Sequence, residues 1–149
     1  MKVEEKFTVN APADEVWAFL TDPERVAAAL PGAEITEKVD ENTYKGGMSV
    51  SMGPVSAAYS GTVAFELDEE NRSAVVSARG QGKAGMGNAD MRMKSTVVAL
   101  GPGETEVTVE ANVAVTGILA QLGRGMMQPV SKRMFQQFTK AMAKALASP

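Results

Sequence analysis

The longest apolar pattern in the chain lies toward its C-terminal end. Leu122, Met126, Val130, Met134, Phe138, Met142 and Leu146 recur every four residues, and Leu119, Met127, Phe135 and Ala145 widen that row into a stripe. Apolar positions at this spacing occupy one face of an α-helix. Lys132, Arg133, Gln136, Gln137, Lys140 and Lys144 take the other face. No earlier segment carries a helical pattern this long. The spacing therefore predicts one long C-terminal helix and an apolar surface for it to cover. Pro129 interrupts the pattern. Proline lacks a backbone donor and crowds the preceding turn, so it predicts either a kink or an effective helix start at Met127.

Upstream the period changes to two. Across residues 2–10, Val3, Phe7 and Val9 alternate with Lys2, Glu4, Lys6 and Thr8, the mark of a half-buried strand. Glu5 falls on the apolar side and is expected to be a strand-end carboxylate reaching solvent. Pro12, Asp14 and Glu15 then suit the first turn of a short helix, with Ala13, Val16, Trp17 and Leu20 as its apolar face. Trp17 reads as a core anchor. Asp22 is placed to cap a second short helix at Pro23 and Glu24. Leu30-Pro31 must end it, because a residue before proline avoids the helical region.

The middle of the chain is a run of strands. Residues 35–39 come first, with Glu37 on the apolar side. Tyr44, Gly46, Met48, Val50 and Met52 share a face, as do Val55, Ala57, Tyr59, Val63, Phe65 and Leu67. Ala74, Val76 and Ala78 follow within residues 72–82. Ala89, Met91, Met93 and Val97 come next, and then Thr105, Val107, Val109, Ala111, Val113 and Val115. Polar turns at residues 40–42, 53–54, 68–71 and 101–103 join them. Short connections imply an antiparallel sheet with one wet face. The only large cover for its dry face is the last helix, giving an α+β layer arrangement. The glycine-rich segment 80–87 lacks a lysine-serine/threonine ending and a following helix, so it reads as a wide hairpin and not as a phosphate loop.

Length and composition narrow the chemistry. A chain of 149 residues fits one domain, 1–149. It buries roughly 70% of its unfolded surface and needs no staples. It has neither cysteine nor histidine, which excludes disulfides, thiolate or imidazole metal ligands and the commonest general base. No cofactor or metal is expected. Net charge of −3 argues against nucleic acid. No apolar run approaches a membrane span, and residues 1–6 lack a signal-peptide core, so the expected location is cytoplasmic. Ser49, Ser51, Ser56 and Ser60 have no histidine to activate them. Glu5 and Glu37 remain a conceivable carboxylate pair. Arg79 and Arg92 read as outer-face residues. The 10 methionines outnumber the aromatics and suit either an adaptable core or the lining of an apolar cavity.

A set of residues spread over nearly the whole chain carries a resemblance. They are Leu30-Pro31-Gly32-Ala33, Tyr44 with Gly46, Gly53-Pro54-Val55, Gly61, Gly87 with Ala89, Val115-Thr116-Gly117, Leu119-Ala120-Gln121-Leu122-Gly123 and Gln137-Phe138. With the element order, they resemble the helix-grip fold of the START/polyketide-cyclase (SRPBCC) superfamily. Within it, the chain is similar to the CoxG family, which accompanies aerobic carbon monoxide dehydrogenase clusters. The resemblance implies a curved seven-stranded antiparallel sheet, two short helices after strand one, and a long C-terminal helix gripped around an apolar cavity. Some relatives carry a C-terminal membrane anchor. This chain stops at Ser148-Pro149, so a peripheral or partner-mediated contact with the inner face of the cell membrane is the expectation.

If a cavity is present, the inward candidates to line it are Met48, Tyr59, Val63, Phe65, Met91, Met93, Val113, Leu122, Met126, Met127, Met134 and Phe138. The same side chains otherwise form a filled core. The expected function is a non-enzymatic accessory protein of a carbon monoxide dehydrogenase system, holding a quinone or a lipid and meeting the other proteins of that enzyme. Two alternatives stand beside it: a polyketide-cyclase-like enzyme using Tyr59 and Glu5, and a ligand-free scaffold.

Overall fold

A computed structural model describes residues 2–30, 32–52, 55–82, 87–117 and 124–147. The elements are β1 (Lys2–Val9), α1 (Ala13–Leu20), α2 (Pro23–Ala29), β2 (Ala33–Asp40), β3 (Thr43–Met52), β4 (Val55–Asp68), β5 (Ser73–Gly82), β6 (Asn88–Gly101), β7 (Glu104–Val115) and α3 (Arg124–Ala147). The seven strands form one sheet in the order β1-β7-β6-β5-β4-β3-β2, with every neighbour antiparallel. Hairpins build β2 through β7. Only β1, which pairs back onto β7, needs the crossover made by α1 and α2. Among the described residues, the backbone of α3 comes close to β1, at one edge, and to β3, near the other. A single helix can approach both only because the sheet curves around it.

Directly opposed residues on antiparallel strands share a face, so register converts into rows. One inner row runs Tyr44, Val63, Ala78, Met91, Val113. The next runs Phe65, Val76, Met93, Ala111, Val3. Farther along, Val97, Val107 and Phe7 align, then Thr105 and Val9. These are the faces that alternation predicts. A different row allows the curvature: Gly46, Gly61 and Gly80 lie side by side on β3, β4 and β5. A Cβ at Gly61 would fall 1.8 Å from the Arg79 carbonyl oxygen, and one at Gly46 would fall 2.3 Å from that of Glu34. The strands fold over so tightly there that only glycine fits.

The core gathers at one end of the inner face. Val9, Val97, Val107 and Val109 from the sheet meet Val16, Trp17 and Phe19 of α1, Ala29 of α2, and Phe138 and Met142 of α3. Phe19 and Phe138 meet at a ring-centroid separation of 6.1 Å, and the Arg25 guanidinium lies 4.7 Å over the Phe19 ring. The buried Thr105 hydroxyl donates to the Ala11 carbonyl at 2.7 Å, tying β7 to the entry of α1. Asp22 caps α2, its side chain accepting from Glu24 and Arg25 backbone N–H groups at 3.1 and 3.3 Å. Leu30 is extended and ends that helix.

Four expectations change. Among the described residues the helix already runs from Arg124, so Met127 is not its start, and it continues through Pro129. Proline at this sixth helical position removes one intrahelical backbone donor, and its ring is exposed to water. Phe19, absent from the predicted face of α1, is 3% exposed. That helix is covered by the sheet on one side and by α3 on another, so its dry face is wider than one stripe. Ala145, assigned to the stripe of α3, is exposed. Glu37 is also exposed and does not face inward, because β2 carries extra residues relative to β3. It lies opposite Lys45 on the outer face, with its carboxylate 3.5 Å from the Lys45 amine. The carboxylate pair with Glu5 is not formed.

Candidate functional site

The inner face divides into two halves of different character. Toward the β1–α1 end it is filled: Val16, Val107 and Met142 are fully buried, and Phe135, Ala141 and Leu146 pack against the same cluster. Toward the glycine row it is half-buried. Tyr44, Met48, Val63, Phe65, Val76, Ala78, Met91 and Val113 all retain partial exposure. They carry no charge and lie in contiguous rows, forming a half-buried apolar face, a candidate groove.

The predicted lining residues fall into distinct places. Met48, Phe65 and Met91 lie on the half-buried apolar face. Tyr59 is buried, opposite Met48 in register and packed beside Gly80. Burial pushes its phenol above the ordinary value, so its hydroxyl stays protonated at physiological pH. Met93 sits at the boundary, half-buried and packed against the core cluster. Phe138 belongs to the filled half, against Phe19. Met134 is half-buried on α3. Leu122 lies outside the described residues, as do the side chains of Met126 and Met127.

Two further residues stand at the β2–β3 edge. Tyr44 meets Phe65 edge-on, with ring centroids 5.7 Å apart and planes at 90°. The Lys38 amine sits 5.9 Å from the centre of the Tyr44 ring. Tyr44 is legible in the sequence as an inner-face residue. Lys38 is not, because the signal that moves it is a bulge.

Tyr59 and Glu5 do not converge. Glu5 is on β1 opposite Val109, whereas Tyr59 is on β4, four strands away in the sheet order. At about 4.8 Å per strand that is roughly 19 Å across the sheet alone. Among the described residues, no three acidic side chains cluster in a way that could hold a metal ion. An open hollow of about 540 Å³ is bordered by Thr62, Ser77, Arg79, Asp90, Arg92 and Asn112 of the outer face and also by Met91 and Val113. Arg79 there pairs with Asp90 at 3.4 Å, as a solvated outer face would.

Solved structures share this arrangement. A conserved protein from Geobacillus kaustophilus superposes with a TM-score of 0.88 at 20% identity, covering 99% of this chain and 95% of that one. The Zhui aromatase/cyclase from Streptomyces sp. R1128 has a TM-score of 0.72 at 18% identity, covering 98% and 93%. A START superfamily protein from Mycobacterium smegmatis has a TM-score of 0.67 at 16% identity, covering 97% and 96%. Likeness at these identities establishes the fold alone: the chain has the helix-grip fold that these structures share. The model of the carbon monoxide dehydrogenase CoxG family matches residues 6–147, and the chain belongs to that family. No curated protein matches the chain.

Proposed function

We propose that the protein is a non-enzymatic accessory component of an aerobic carbon monoxide dehydrogenase system, carrying an apolar molecule, a quinone or a lipid, between the sheet and α3. The observation that supports this most is the division of the inner face. The fold has a complete core at one end, and a second apolar surface of similar composition that keeps partial exposure at the other. Such a surface lowers its free energy when an apolar molecule displaces water from it. Flexible methionines such as Met48 and Met91 adapt to hydrocarbon of variable shape. Membership of the CoxG family supports this pathway and, as partner, the subunits of the dehydrogenase. The cargo would serve electron-acceptor delivery, enzyme maturation or recruitment to the membrane. Among the described residues no helix is long and apolar enough to cross a bilayer, so the membrane contact in this reading is peripheral. The exposed Lys132, Arg133, Lys140 and Lys144 face of α3 suits anionic headgroups.

A cyclase-like activity draws less support, although an aromatase/cyclase shares the fold. The side chains named for it, Tyr59 and Glu5, lie on distant strands. Mass spectrometry of organic extracts from protein purified without detergent tests the carrier reading. A quinone or lipid recovered in stoichiometric amount is expected. Repeated recovery of none, with purified quinones and lipids also failing to bind, would leave the scaffold.

A further inference from the structure

Strand β2 is an edge strand with irregular pairing to β3. The register shifts between Ile35 and Glu37, and again between Lys38 and Asp40. Each shift places one extra residue on β2, Thr36 and then Val39. Simple alternation from Ile35 would turn Glu37 inward and Lys38 outward. The first bulge reverses both. Glu37 pairs with Lys45 outside, and Lys38 lies opposite Tyr44 on the groove side, its amine over the Tyr44 ring. Bulges re-aim side chains in this way and are common beside binding sites. Among the described residues no carboxylate pairs with Lys38. The edge of an otherwise apolar groove thus holds one ammonium and one phenol, both hydrogen-bond donors, with the Phe65 ring closing against Tyr44 behind them.

We propose that Lys38 and Tyr44 form a head-group subsite at the β2–β3 edge, taking the hydrogen-bond-accepting oxygen of an amphipathic ligand whose hydrocarbon lies in the groove. This rests on the reading of the groove as a carrier site. The shared chemistry is an acceptor oxygen on an apolar body, supplied either by the carboxylate of a lipid acid or by a quinone carbonyl. Both donors are at the rim, so the head lies at the entrance and the tail points inward. The exposed amine strengthens recognition most for an anionic head.

The test is displacement of Nile red from the full-length protein by sodium oleate and by decylubiquinone. Lys38→Met is expected to weaken oleate about tenfold, the scale of one charge-assisted hydrogen bond. Lys38→Arg should restore most of that loss. Tyr44→Phe is expected to weaken decylubiquinone several-fold by the same reasoning. The melting temperature should stay at the wild-type value in each variant, and the Nile red affinity of each variant is measured directly so that competitor affinities are corrected for it. A loss confined to oleate assigns the head to an acidic lipid, and a loss for decylubiquinone admits quinones. Unchanged affinity for both competitors in the Lys38→Met/Tyr44→Phe double variant overturns the subsite while leaving the groove standing. Failure of all three probes to bind the wild type overturns the carrier reading and the subsite with it.

Discussion

Replacing Met142 and Met91 with alanine, one at a time, tests the division of the inner face. Met142 is 0% exposed and sits among Phe138, Val16 and the valines of the sheet. The change removes Cγ, Sδ and Cε from a closed site. At ~0.8 kcal/mol per buried group the transfer loss is about 2.4 kcal/mol, and the cavity left behind brings the total into the ~2–5 kcal/mol range. A domain of this size loses ~2–4 °C in melting temperature per kcal/mol, so a fall of roughly 4–20 °C is expected. Met91 is half-buried in the groove. The same atoms there are already partly hydrated and water can occupy the space, so the loss is about 1 kcal/mol. Thermal and urea unfolding followed by far-ultraviolet circular dichroism read both values. Equal destabilisation by the two variants would refute the argument, because it would mean that the Met91 half is packed as densely as the Met142 half.

Gly61→Ala should destabilise by ~1–3 kcal/mol, since the new Cβ would lie 1.8 Å from a backbone oxygen of β5 and the strands must part to admit it; urea unfolding measures this, and wild-type stability would contradict the tight bend. Tyr59 should ionise above the ordinary phenol range because burial disfavours its phenolate, which ultraviolet titration of a Tyr44→Phe variant isolates. As pH rises past the unfolded phenol value, the unfolded chain releases its proton first. The stability contributed by the protonated Tyr59 is therefore complete below that value and is lost as pH climbs through the folded one; a Tyr59→Phe variant should lack that alkaline component in its melting curves.

Period-two alternation locates all seven strands, because each has one face on apolar rows and the other in water. Thr105 to Val115 shows this most plainly, and its inward set is the one that alternation names. Alternation fails where the count of residues between opposed positions changes. Thr36 and Val39 are inserted against β3, and nothing in the residue types of β2 announces it, so the pattern turns Glu37 inward and passes over Lys38. Phe19 escapes the pattern for a different reason. A helical stripe assumes one covering surface, and α1 has two. The stripe of α3 is legible from Phe135 to Leu146, where the helix meets the core. The candidate site is legible as a set of inward side chains, including Met48, Phe65 and Met91. Its separation from the core is not, because partial and complete burial leave the same hydrophobic pattern in a sequence.

Two aromatic pairs make the consequence of that separation concrete. Phe19–Phe138 joins α1 to α3 within the filled half and fixes the helix against the sheet. Tyr44–Phe65 joins β3 to β4 within the sheet. The anchor of α3 and the lining of the groove are therefore held by different contacts. Under the proposed function, a molecule entering beside Tyr44 and Phe65 need not disturb Phe138 or Met142, so its loading would not draw on the stability of the core. Local openings cost less than global unfolding when few buried contacts cross the moving boundary. Among the described residues, the one methionine at the boundary that packs on the core cluster is Met93, and its unbranched side chain shifts rotamer at low cost. In the proposed carrier, the filled half of the apolar face stays closed and only the half-buried half exchanges its contents.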